Sequence, residues 1–407
     1  MILDTIVYEN SAGSAAEVIR SGGLCAVPTE TVYGIACNAL DAAAVEHIYE
    51  LKGRPAVKPL SIMVPGAEAM ETYCRDVPSQ AKLLAAEFWP GPLTIVLEAK
   101  TELIPSIVLA GGHTVGLRCP ANELTLAALN ASGVPFAAPS ANPSGKPSPK
   151  TAGEVLDYFN GQIEAVIDGG ECTLGTESTI ISLAEKPYRI LRLGALGEDE
   201  IRRCLVSGLS VVGISCGTGC GKTTALQSLK DSGALLIDCD EVYHRLLKDC
   251  REMISEISAS FPDAVSDGSV DTKLLGKTVF NNPDALKLLN RITHGYVCTE
   301  VNRMLSDFAM SGGRLALIDA VELFSSGLSE ICDFTVGITA PFEERIRRIM
   351  KRDRISRDYA ASRINAQRSD GYYASNCTYM IENSSDEESF ISAFSELIKG
   401  GLENGTI

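Results

Sequence analysis

The sequence lacks a long apolar run and an excess of positive charge, and it contains few tryptophans and histidines: 1 Trp, 4 His, and 36 Lys+Arg against 52 Asp+Glu. No apolar stretch approaches the roughly 18 residues that a membrane span needs, and the N-terminus shows no basic–apolar–small signal pattern. We therefore expect no membrane segment. A formal net charge of −16 also argues against stable non-specific binding to nucleic acid, which depends on surplus Lys and Arg.

Cysteine pairs with the CxxC spacing are absent as well. The 13 cysteines are an odd number, and none form a CxxC pair, so the sequence predicts neither a disulfide framework nor a zinc knuckle. A reducing, cytoplasmic location fits this usage. The composition is 45% hydrophobic and 22% charged, without internal repeats or low-complexity stretches, which excludes a disordered or coiled-coil chain.

Length and pattern predict two different α/β domains. A chain of 407 residues is long enough for two or three domains that each bury a core. Short β-like runs alternate with helical stretches up to about residue 205, and from about residue 208 the order becomes strand, glycine-rich turn, helix. We place the domains at residues 1–206 and 207–407, with a short helix at Glu198–Leu205 and a linker at Ser207-Gly208.

In the first domain, a polar turn and a basic helix end follow the first strands. Leu24–Pro28 reads as a strand, and Asp41 is predicted to cap a helix that runs to about Leu51. Gly and Pro end this helix within Lys52-Gly-Arg-Pro55. The cations there either complement the helix dipole or bind an anionic ligand, and the spacing alone leaves both interpretations open.

Several later strands end in arginine or in small polar residues. Arg118 and Arg192 follow apolar runs, and so does the segment Pro139-Ser-Ala-Asn-Pro-Ser-Gly145. Arginine grips carboxylate or phosphate with two parallel hydrogen bonds, and small polar residues let a ligand approach the backbone. Each feature alone also fits a plain surface turn. Their occurrence in one order favours a ligand site.

Taken together, these motifs resemble the YrdC/TsaC family of L-threonylcarbamoyladenylate synthases. The matching segments are Thr29-Glu-Thr-Val-Tyr-Gly34, Lys52-Gly-Arg-Pro55, Lys58-Pro-Leu60, Phe88-Trp-Pro-Gly-Pro-Leu-Thr94, Pro139–Gly145, Gly175-Thr-Glu-Ser-Thr179 and Leu191-Arg-Leu-Gly194. The resemblance implies a twisted α/β sheet around a positively lined concave cleft. It also implies the conversion of L-threonine, bicarbonate and ATP to threonylcarbamoyl-AMP and pyrophosphate, on the route to the t6A modification of tRNA.

The resemblance also implies roles for individual residues. Threonine would be held by Thr31, Arg118 and Ser178. ATP would be held by Arg54, Lys58, Thr114, Ser140, Asn142, Ser148 and Arg192, with Lys52 adding charge beside the phosphates. Lys52 and Arg54 would be the catalytic cations, and Mg²⁺ is expected on the ATP phosphates. The product would pass to a separate tRNA-modifying transferase complex.

The second domain opens with a phosphate-binding loop. The apolar run Leu209–Ile214 leads into Ser215-Cys-Gly-Thr-Gly-Cys-Gly-Lys-Thr-Thr224, and a helix is expected over Lys222–Lys230. In this context backbone N–H groups face the phosphates, Lys222 reaches the terminal phosphates, and the Thr223 hydroxyl ligates Mg²⁺. The nucleotide-binding residues of the loop are predicted to be Gly217, Gly219, Cys220, Gly221, Lys222, Thr223 and Thr224. Cys216 occupies the position of the first consensus glycine.

Two further features fit a kinase. Asp238 stands at the carboxyl end of the strand Leu235–Ile237, where parallel sheets bind ligands and where a carboxylate can accept a proton from an attacking hydroxyl. Six basic residues crowd residues 345–354, and they form either a solvated basic face or a helix that closes over phosphates. His244 and His294 are isolated, and we interpret both as structural.

These motifs resemble the dephospho-CoA kinase family. The matching segments are the phosphate loop, Ile237-Asp-Cys-Asp240, Val279-Phe-Asn-Asn-Pro283, Leu289-Asn-Arg-Ile-Thr-His294, Arg348–Asp353, Arg363-Ile-Asn-Ala-Gln367 and Tyr379-Met-Ile-Glu-Asn383. The resemblance implies a parallel-sheet P-loop fold and transfer of the ATP γ-phosphate to the 3′-hydroxyl of dephospho-CoA. It also implies Asp238 as base and Lys222 as catalytic cation, with Lys222, Thr223 and Arg352 supporting the ATP phosphates and Mg²⁺. The chain departs from the family at Cys216 and Cys220, at Gly295, and at Asp319-Ala-Val-Glu-Leu-Phe-Ser325, where the usual Pro and final Glu are missing.

Two alternative functions remain open. In the first, the kinase half carries the main activity of the chain. In the second, the first half is a non-catalytic RNA-binding regulator. Cys216 and Cys220 bracket the phosphate loop, which suggests either a redox switch or two small residues packed in a tight turn.

Overall fold

The computed structural model describes residues 4–280, 282–384 and 386–404. They divide into two compact units: unit 1 contains the described residues up to Gly208 together with residues 310–312, and unit 2 contains the others. The helix expected over Glu198–Leu205 is present but runs through Ser207, so Ser207 is helical rather than part of a linker. The boundary near residue 206 stays a prediction.

Unit 1 is built from one large sheet with helices around it. Its strands are β1 Ile6–Glu9, β2 Cys25–Val27, β3 Gly34–Asn38, β4 Ser61–Met63, β5 Leu93–Glu98, β6 Thr114–Arg118, β7 Phe136–Ala137, β8 Ala165–Asp168, β9 Thr179–Ser182 and β10 Arg189–Arg192. Its helices are α1 Ala12–Arg20, α2 Ala42–Lys52, α3 Ala69–Tyr73, α4 Ser79–Phe88, α5 Glu123–Ser132, α6 Ala152–Phe159 and α7 Glu198–Ser207.

The sheet of unit 1 is mixed, with the strand order β1-β8-β2-β3-β7-β4-β6-β5-β9-β10. Strand β6 pairs in parallel with β4 and antiparallel with β5, and β5 pairs in parallel with β9. This order brings the ends of β6 and β9 together, although about 60 residues separate Arg118 from Ser178 in the chain. The predicted α/β class is confirmed for this unit.

Local sequence accounts for the helix that leads to the basic turn. The Asp41 side chain accepts hydrogen bonds from the backbone N–H groups of Ala43 and Ala44, at 3.0 and 3.3 Å, so Asp41 is the predicted cap. Val45 and Ile48 are fully buried, which gives the helix one apolar face. The helix ends at Gly53, whose φ of 57° is left-handed and favours glycine.

Unit 2 has a smaller sheet and more helices. Its strands are β11 Ser210–Cys216, β12 Leu235–Asp238, β13 Val265–Ser266, β14 Ser269–Val270, β15 Leu315–Asp319, β16 Phe334–Thr339 and β17 Tyr379–Glu382. Its helices are α8 Lys222–Gln227, α9 Cys239–Asp249, α10 Arg251–Ser260, α11 Thr272–Phe280, α12 Pro283–Met310, α13 Phe342–Asp353, α14 Arg357–Asn365, α15 Asp370–Asn376 and α16 Glu387–Asn404.

The main sheet of unit 2 is parallel throughout, in the order β12-β15-β11-β16-β17. Its central strand β11 is buried on both faces, as expected for a parallel strand covered by helices. The carboxyl ends of β11, β12 and β15 therefore lie side by side, and they carry the phosphate loop, Asp238 and Asp319. The predicted parallel-sheet fold is confirmed.

Some local expectations for unit 2 need correction or lie outside the structure. The helix after the phosphate loop ends at Gln227, not Lys230, and a short 3₁₀ turn follows over Lys230–Ser232. Asn281, in the motif Val279–Pro283, lies outside the described residues. None of the described helices is long and apolar enough to cross a membrane.

Candidate functional sites

Unit 1 contains a cavity of about 280 Å³ where the strand ends meet. Seven of the ten side chains predicted to hold threonine or ATP line it: Thr31, Arg54, Thr114, Arg118, Ser140, Ser178 and Arg192. The other three, Lys58, Asn142 and Ser148, are not among the lining residues. Three arginines and several hydroxyls in one wall suit a ligand with anionic groups.

Arg118 is the most constrained of the three arginines. Its guanidinium donates to Glu30 Oε1 at 2.6 Å and to Thr31 Oγ1 at 2.9 Å, and its Nε donates to the Gly91 carbonyl at 3.2 Å. Both partners of the ion pair are buried, with side chains 8% and 9% exposed. Glu30 also accepts a hydrogen bond from the Ala121 N–H at 3.0 Å. The buried pair therefore orients Arg118 and Thr31 toward the cavity.

Ser178 lies between two of the other cavity residues. Its hydroxyl is 2.9 Å from Thr94 Oγ1, and Arg192 donates to the Ser178 carbonyl at 2.7 Å and to its hydroxyl at 3.2 Å. Burial lowers the pKa of Arg192, with Arg118 and Arg54 acting in the same direction and Glu177 opposing them. These hydrogen bonds hold the Arg192 guanidinium against Ser178 in the cavity wall.

Lys52 holds the turn that contains Ser140 and Asn142. Only 4% of Lys52 is exposed, and its ammonium group donates to the backbone carbonyls of Ser140 and Asn142. Burial, with a contribution from Arg54, lowers the pKa of Lys52 to about 8. Lys52 is not among the residues that line the cavity, so the structure gives this residue a positioning contact that the sequence did not predict.

Arg54 and Lys58 are placed differently from each other. Arg54 lines the cavity, and its guanidinium donates to the Lys58 and Pro59 carbonyls at 3.2 and 2.8 Å. The Lys58 side chain is exposed. The segment Lys58-Pro59 therefore positions Arg54 through its backbone, and the Lys58 ammonium group lies outside the cavity wall.

Sequence reasoning assigned no role to two carboxylates at this site, although both lie inside quoted motifs. Glu30 pairs with Arg118, and Glu177 lines the cavity beside Ser178. The Ser148 hydroxyl donates to Glu177 Oε1 at 2.7 Å; this bond lowers the pKa of Glu177, and Arg192 contributes in the same direction. The sequence shows that both carboxylates lie inside the motifs. It does not show that they lie near the arginines, because that depends on which strand ends converge.

In unit 2 the phosphate loop follows β11 with the expected geometry. Gly219 and Gly221 have φ of 81° and 99°, a region that favours glycine. Cys216 is the last residue of the extended strand β11, so a side chain is tolerated where the consensus has glycine. Cys216 and Cys220 are 5% and 1% exposed and pack in the core of the sheet. Their burial favours the packing interpretation, and the redox switch stays a prediction.

Lys222 and Asp319 form an ion pair at the carboxyl edge of the sheet, with Nζ–Oδ1 at 2.6 Å. Burial raises the pKa of Asp319 to about 6, with Asp238 and Asp240 contributing, although Lys222 opposes the shift. Burial lowers the pKa of Lys222, but Asp319, with contributions from Cys216 and Asp240, makes the net shift upward. Asp238 caps α9, and its Oδ1 accepts from the Asp240 and Glu241 N–H groups at 2.9 and 3.2 Å.

The basic helix α13 lies against the phosphate loop, so the interpretation as a wholly solvated basic face is wrong. Arg345 is 4% exposed and donates to the Thr218 carbonyl at 3.0 Å. Arg348 donates to the Gly219 carbonyl at 3.4 Å and to Asn383 Oδ1 at 3.1 Å. Arg352 pairs mainly with Asp353 at 2.7 Å and reaches Thr218 Oγ1 at 3.4 Å.

A second cavity of about 270 Å³ lies in unit 2 near the same sheet edge. Apolar side chains form most of its wall, and its acidic residues and histidine are Asp240, Glu322 and His294. His294, which we interpreted as structural, therefore lies on a cavity wall. Burial lowers the pKa of His294, with Glu322 opposing the shift. Glu322 accepts a hydrogen bond from Ser325, the residue at the position of the missing family glutamate.

Comparison with known proteins matches each half of the chain separately. A family model for Sua5, YciO and YrdC proteins, described as "Telomere recombination", matches residues 17–194, and a "Dephospho-CoA kinase" model matches residues 210–388. Threonylcarbamoyl-AMP synthase of Pyrococcus abyssi is 50% identical over 191 residues, which cover 47% of this chain and 56% of the relative. The mouse enzyme of the same name is 34% identical, covering 46% of this chain and 68% of the relative.

The second half matches a whole curated protein. Dephospho-CoA kinase of Dehalococcoides mccartyi is 32% identical over 197 residues, covering 48% of this chain and 99% of the relative. The chain spans about half the length of the first synthases that it matches, 56% and 54%. The chain therefore belongs to two families, the Sua5/YrdC family through its first half and the dephospho-CoA kinase family through its second.

Proposed function

We propose that unit 1 is an L-threonylcarbamoyladenylate synthase that converts L-threonine, bicarbonate and ATP to threonylcarbamoyl-AMP and pyrophosphate. The observation that carries this proposal is the cavity wall that combines Arg54, Arg118 and Arg192 with the hydroxyls of Thr31 and Ser178. Such a wall suits two anionic substrates held side by side. A non-catalytic RNA-binding role requires none of this convergence.

The chemistry needs positioning more than a protein nucleophile. Arg118, Thr31 and Ser178 would hold threonine, and an oxygen of carbamylated threonine would attack the α-phosphate of ATP while pyrophosphate leaves. Holding two reactants in line replaces a bimolecular encounter, and fixed cations stabilise the charge on the leaving group. Arg54 and Arg192 would supply those cations, with Ser140, Asn142, Ser148 and Thr114 completing the ATP contacts. Lys52 would keep the Ser140–Asn142 turn in place.

Changing Arg54 to alanine is expected to lower threonine-dependent pyrophosphate release by at least about 10²-fold, because one fixed cation is removed from the site of developing charge. Pyrophosphate release and mass spectrometry for threonylcarbamoyl-AMP measure the effect in the full chain. Urea unfolding followed by the fluorescence of Trp89, which lies in unit 1, serves as the folding control. Unchanged pyrophosphate release would show that the cavity is not the synthase site.

The synthase activity is also expected to fall as pH rises through about 8, the pKa of Lys52. Below this pH the lysine is charged and makes charge-assisted bonds to the Ser140 and Asn142 carbonyls, and above it these bonds weaken. Lys52→Arg keeps the charge at all these pH values and should shift the alkaline limb upward. The pH profile of kcat/KM for both proteins measures this. An identical alkaline limb in both would assign the limb to another group.

We further propose that unit 2 is an ATP-dependent kinase for the 3′-hydroxyl of dephospho-CoA. The observation that supports it is the phosphate loop with Lys222 paired to Asp319 beside a largely apolar cavity. Asp238 would accept the proton of the attacking hydroxyl through its carboxylate, which also caps α9. His294 and Glu322 would contact the acceptor in place of the missing family residues.

Magnesium fits the donor chemistry of the kinase site. The Thr223 hydroxyl follows Lys222 in the loop, Asp319 lies at the adjacent strand end, and Mg²⁺ prefers such oxygen ligands together with phosphate oxygens. No group of three acidic, cysteine or histidine side chains within the described residues forms a metal cage. Bound Mg²⁺ would neutralise charge on the transferring phosphate, and Thr223 would hold it with the nucleotide.

The full chain is expected to convert dephospho-CoA to its 3′-phosphorylated product with ATP, as measured by mass spectrometry. The same incubation with threonine and bicarbonate shows whether both products form together. Arg54→Ala is the matched control, because it removes the synthase cation and leaves unit 2 unchanged. ATP turnover without phosphorylation of dephospho-CoA would indicate a different acceptor.

We also propose a cytoplasmic location and a downstream partner. All 13 cysteines are free thiols, as expected in a reducing compartment. The threonylcarbamoyl-AMP product would pass to a separate tRNA-modifying transferase complex. Threonine-dependent ATP turnover by unit 1 distinguishes this role from RNA binding alone.

A further inference from the structure

Two buried hydroxyl groups face each other in the wall of the unit 1 cavity. Thr94 is the second residue of β5, and Ser178 immediately precedes β9, the strand that pairs in parallel with β5. Their Oγ atoms are 2.9 Å apart, both residues line the cavity, and only 1% of Thr94 and 5% of Ser178 is exposed. The motifs predicted a role for Ser178 and none for Thr94.

The neighbouring strand fixes the orientation of Thr94. A Cβ at Gly116, on β6, would lie 3.1 Å from the Thr94 methyl carbon, so the missing side chain gives that methyl group its space. Threonine is branched at Cβ, and its χ1 angle is therefore restricted. With the methyl group beside Gly116, the hydroxyl of Thr94 is directed at Ser178. This hydroxyl is a fixed part of the cavity wall.

A count of the hydrogen bonds shows that the pair has one O–H donor left for a ligand. The Arg192 guanidinium donates to the Ser178 hydroxyl at 3.2 Å and to the Ser178 carbonyl at 2.7 Å. The two hydroxyl groups carry two protons, and the bond between them uses one. Within the described residues, neither hydroxyl has a further hydrogen-bond partner. The remaining proton, beside the charge of Arg192, suits an anionic oxygen acceptor.

The contact between Ser178 and Arg192 decides which ligand oxygen fits best. In the proposed reaction, bicarbonate and the uncharged amine of threonine form a carbamate: a C–N bond forms, and hydroxide leaves with an amine proton as water. One carbamate oxygen then attacks the α-phosphate, so the group is bonded to threonine on one side and to the nucleotide on the other. Ser178 belongs to the predicted threonine set and Arg192 to the predicted ATP set, and their hydrogen bond joins the two sets.

Two other ligand groups fit the hydroxyl pair less well. The carboxylate of threonine has a separate partner in Arg118, which is held beside Thr31. Each ATP phosphate presents several charged oxygens, whereas the pair supplies a single neutral donor. Each alternative predicts that a different substrate loses affinity when the pair is changed.

We propose that Thr94 and Ser178, together with Arg192, bind the carboxyl group that bicarbonate contributes to the threonine carbamate. The hydroxyl pair donates to one carbamate oxygen, Arg192 offsets the negative charge, and the other oxygen stays free to attack the α-phosphate. This inference rests on the proposed synthase function and adds to it the binding site of the third substrate. It also gives Thr94 a role in the reaction.

Thr94→Val tests the inference, because it replaces the hydroxyl with a methyl group of similar size. Pyrophosphate release by the full chain, in CO₂-depleted buffer with bicarbonate added back, gives KM for bicarbonate. Isothermal titration without bicarbonate gives Kd for threonine and for α,β-methylene-ATP, and in these titrations every protein carries Lys222→Met, which weakens the second nucleotide site. Thr125→Val is the matched control, because Thr125 is also 1% exposed but bonds to the Pro28 carbonyl, away from the cavity wall.

In Thr94→Val, KM for bicarbonate is expected to rise about tenfold, as for the loss of one hydrogen bond to a charged group. The reason holds for both orientations of the pair: Thr94 either donates to the carbamate itself or donates to Ser178 and so directs the Ser178 proton into the cavity. Kd for threonine and for the nucleotide analogue should not change. Thr94→Ser keeps the hydroxyl and should retain most of the affinity for bicarbonate, and Thr125→Val should leave all three constants unchanged.

A comparable rise in Kd for threonine or for the nucleotide analogue would assign the hydroxyl pair to that substrate and overturn the inference. An unchanged KM for bicarbonate in Thr94→Val would overturn it as well, while threonine-dependent pyrophosphate release by the unchanged protein upholds the synthase proposal. If the unchanged protein releases no pyrophosphate with threonine and bicarbonate, the synthase proposal and this inference both fail. If Thr94→Val does not fold, Thr94→Ala removes the same hydroxyl and decides by the same criteria.

Discussion

Changing Arg118 to methionine is expected to lower the free energy of unfolding of unit 1 by about 3–5 kcal/mol and to abolish threonylcarbamoyl-AMP formation. The loss in stability follows because Glu30, 9% exposed, is left as a buried charge without its partner. The loss in activity follows because Arg118 is the arginine that contacts Thr31. Urea unfolding can be followed by the fluorescence of the single tryptophan, Trp89, which lies in unit 1.

A second substitution separates the two effects of Arg118. Adding Glu30→Gln to Arg118→Met removes the unpaired charge, so most of the lost stability should return while activity stays absent. Replacing a whole buried ion pair is often neutral for stability, whereas removing one partner is not. If the double variant is as unstable as the single one, packing around Arg118 rather than charge explains the loss. If the double variant regains synthase activity, Arg118 does not bind substrate.

Changing Lys222 to methionine is expected to lower phosphoryl transfer by unit 2 by at least about 10³-fold and to leave pyrophosphate release by unit 1 unchanged. Lys222 is the cation that pairs with Asp319 at 2.6 Å and that the loop presents to the terminal phosphates. Methionine has a similar length and no charge, so it removes the electrostatic contribution with little change in volume. A direct assay of dephospho-CoA phosphorylation measures the first effect.

The pH dependence of the kinase gives an independent check on the same pair. Burial raises the pKa of Asp319 to about 6, so the ion pair is complete above this pH and is lost as the pH falls through it. Kinase activity of the unchanged protein should therefore fall below about pH 6. Asp319→Asn should flatten this acidic limb at a lower overall rate. A limb that stays at the same pH in Asp319→Asn would belong to another group.

Local patterns allowed much of the fold to be predicted. Asp41 is followed by apolar residues at helical spacing, and the structure has the cap and the helix. The run Leu209–Ile214 before a glycine turn predicted a central strand, which is β11. Helix ends were less predictable: α8 stops at Gln227, before the expected end at Lys230, and a 3₁₀ turn follows over Lys230–Ser232.

The candidate sites were predictable as sets of residues but not as contacts. The order of the motifs identified most of the residues in the cavity wall of unit 1. The hydrogen bond from the Lys52 ammonium group to the Ser140 carbonyl joins residues that are 88 positions apart, so the sequence does not show it. Glu30 meets Arg118 across the same separation. In unit 2, the sequence did not show which basic residues of α13 face the phosphate loop, because seven of the ten residues 345–354 are charged.

The sequence by itself determined two α/β domains, a phosphate loop and the residue types that suit anionic substrates, because these depend on local periodicity and on short motifs. Only the tertiary structure decided which partners the carboxylates of the unit 1 site have. Glu30 and Glu177 are the same type of residue. The strand order of unit 1 buries Glu30 against Arg118 and places Glu177 beside Ser148 on the cavity wall. The charge balance of a site depends on distances between remote segments, and those distances exist only once the chain has folded.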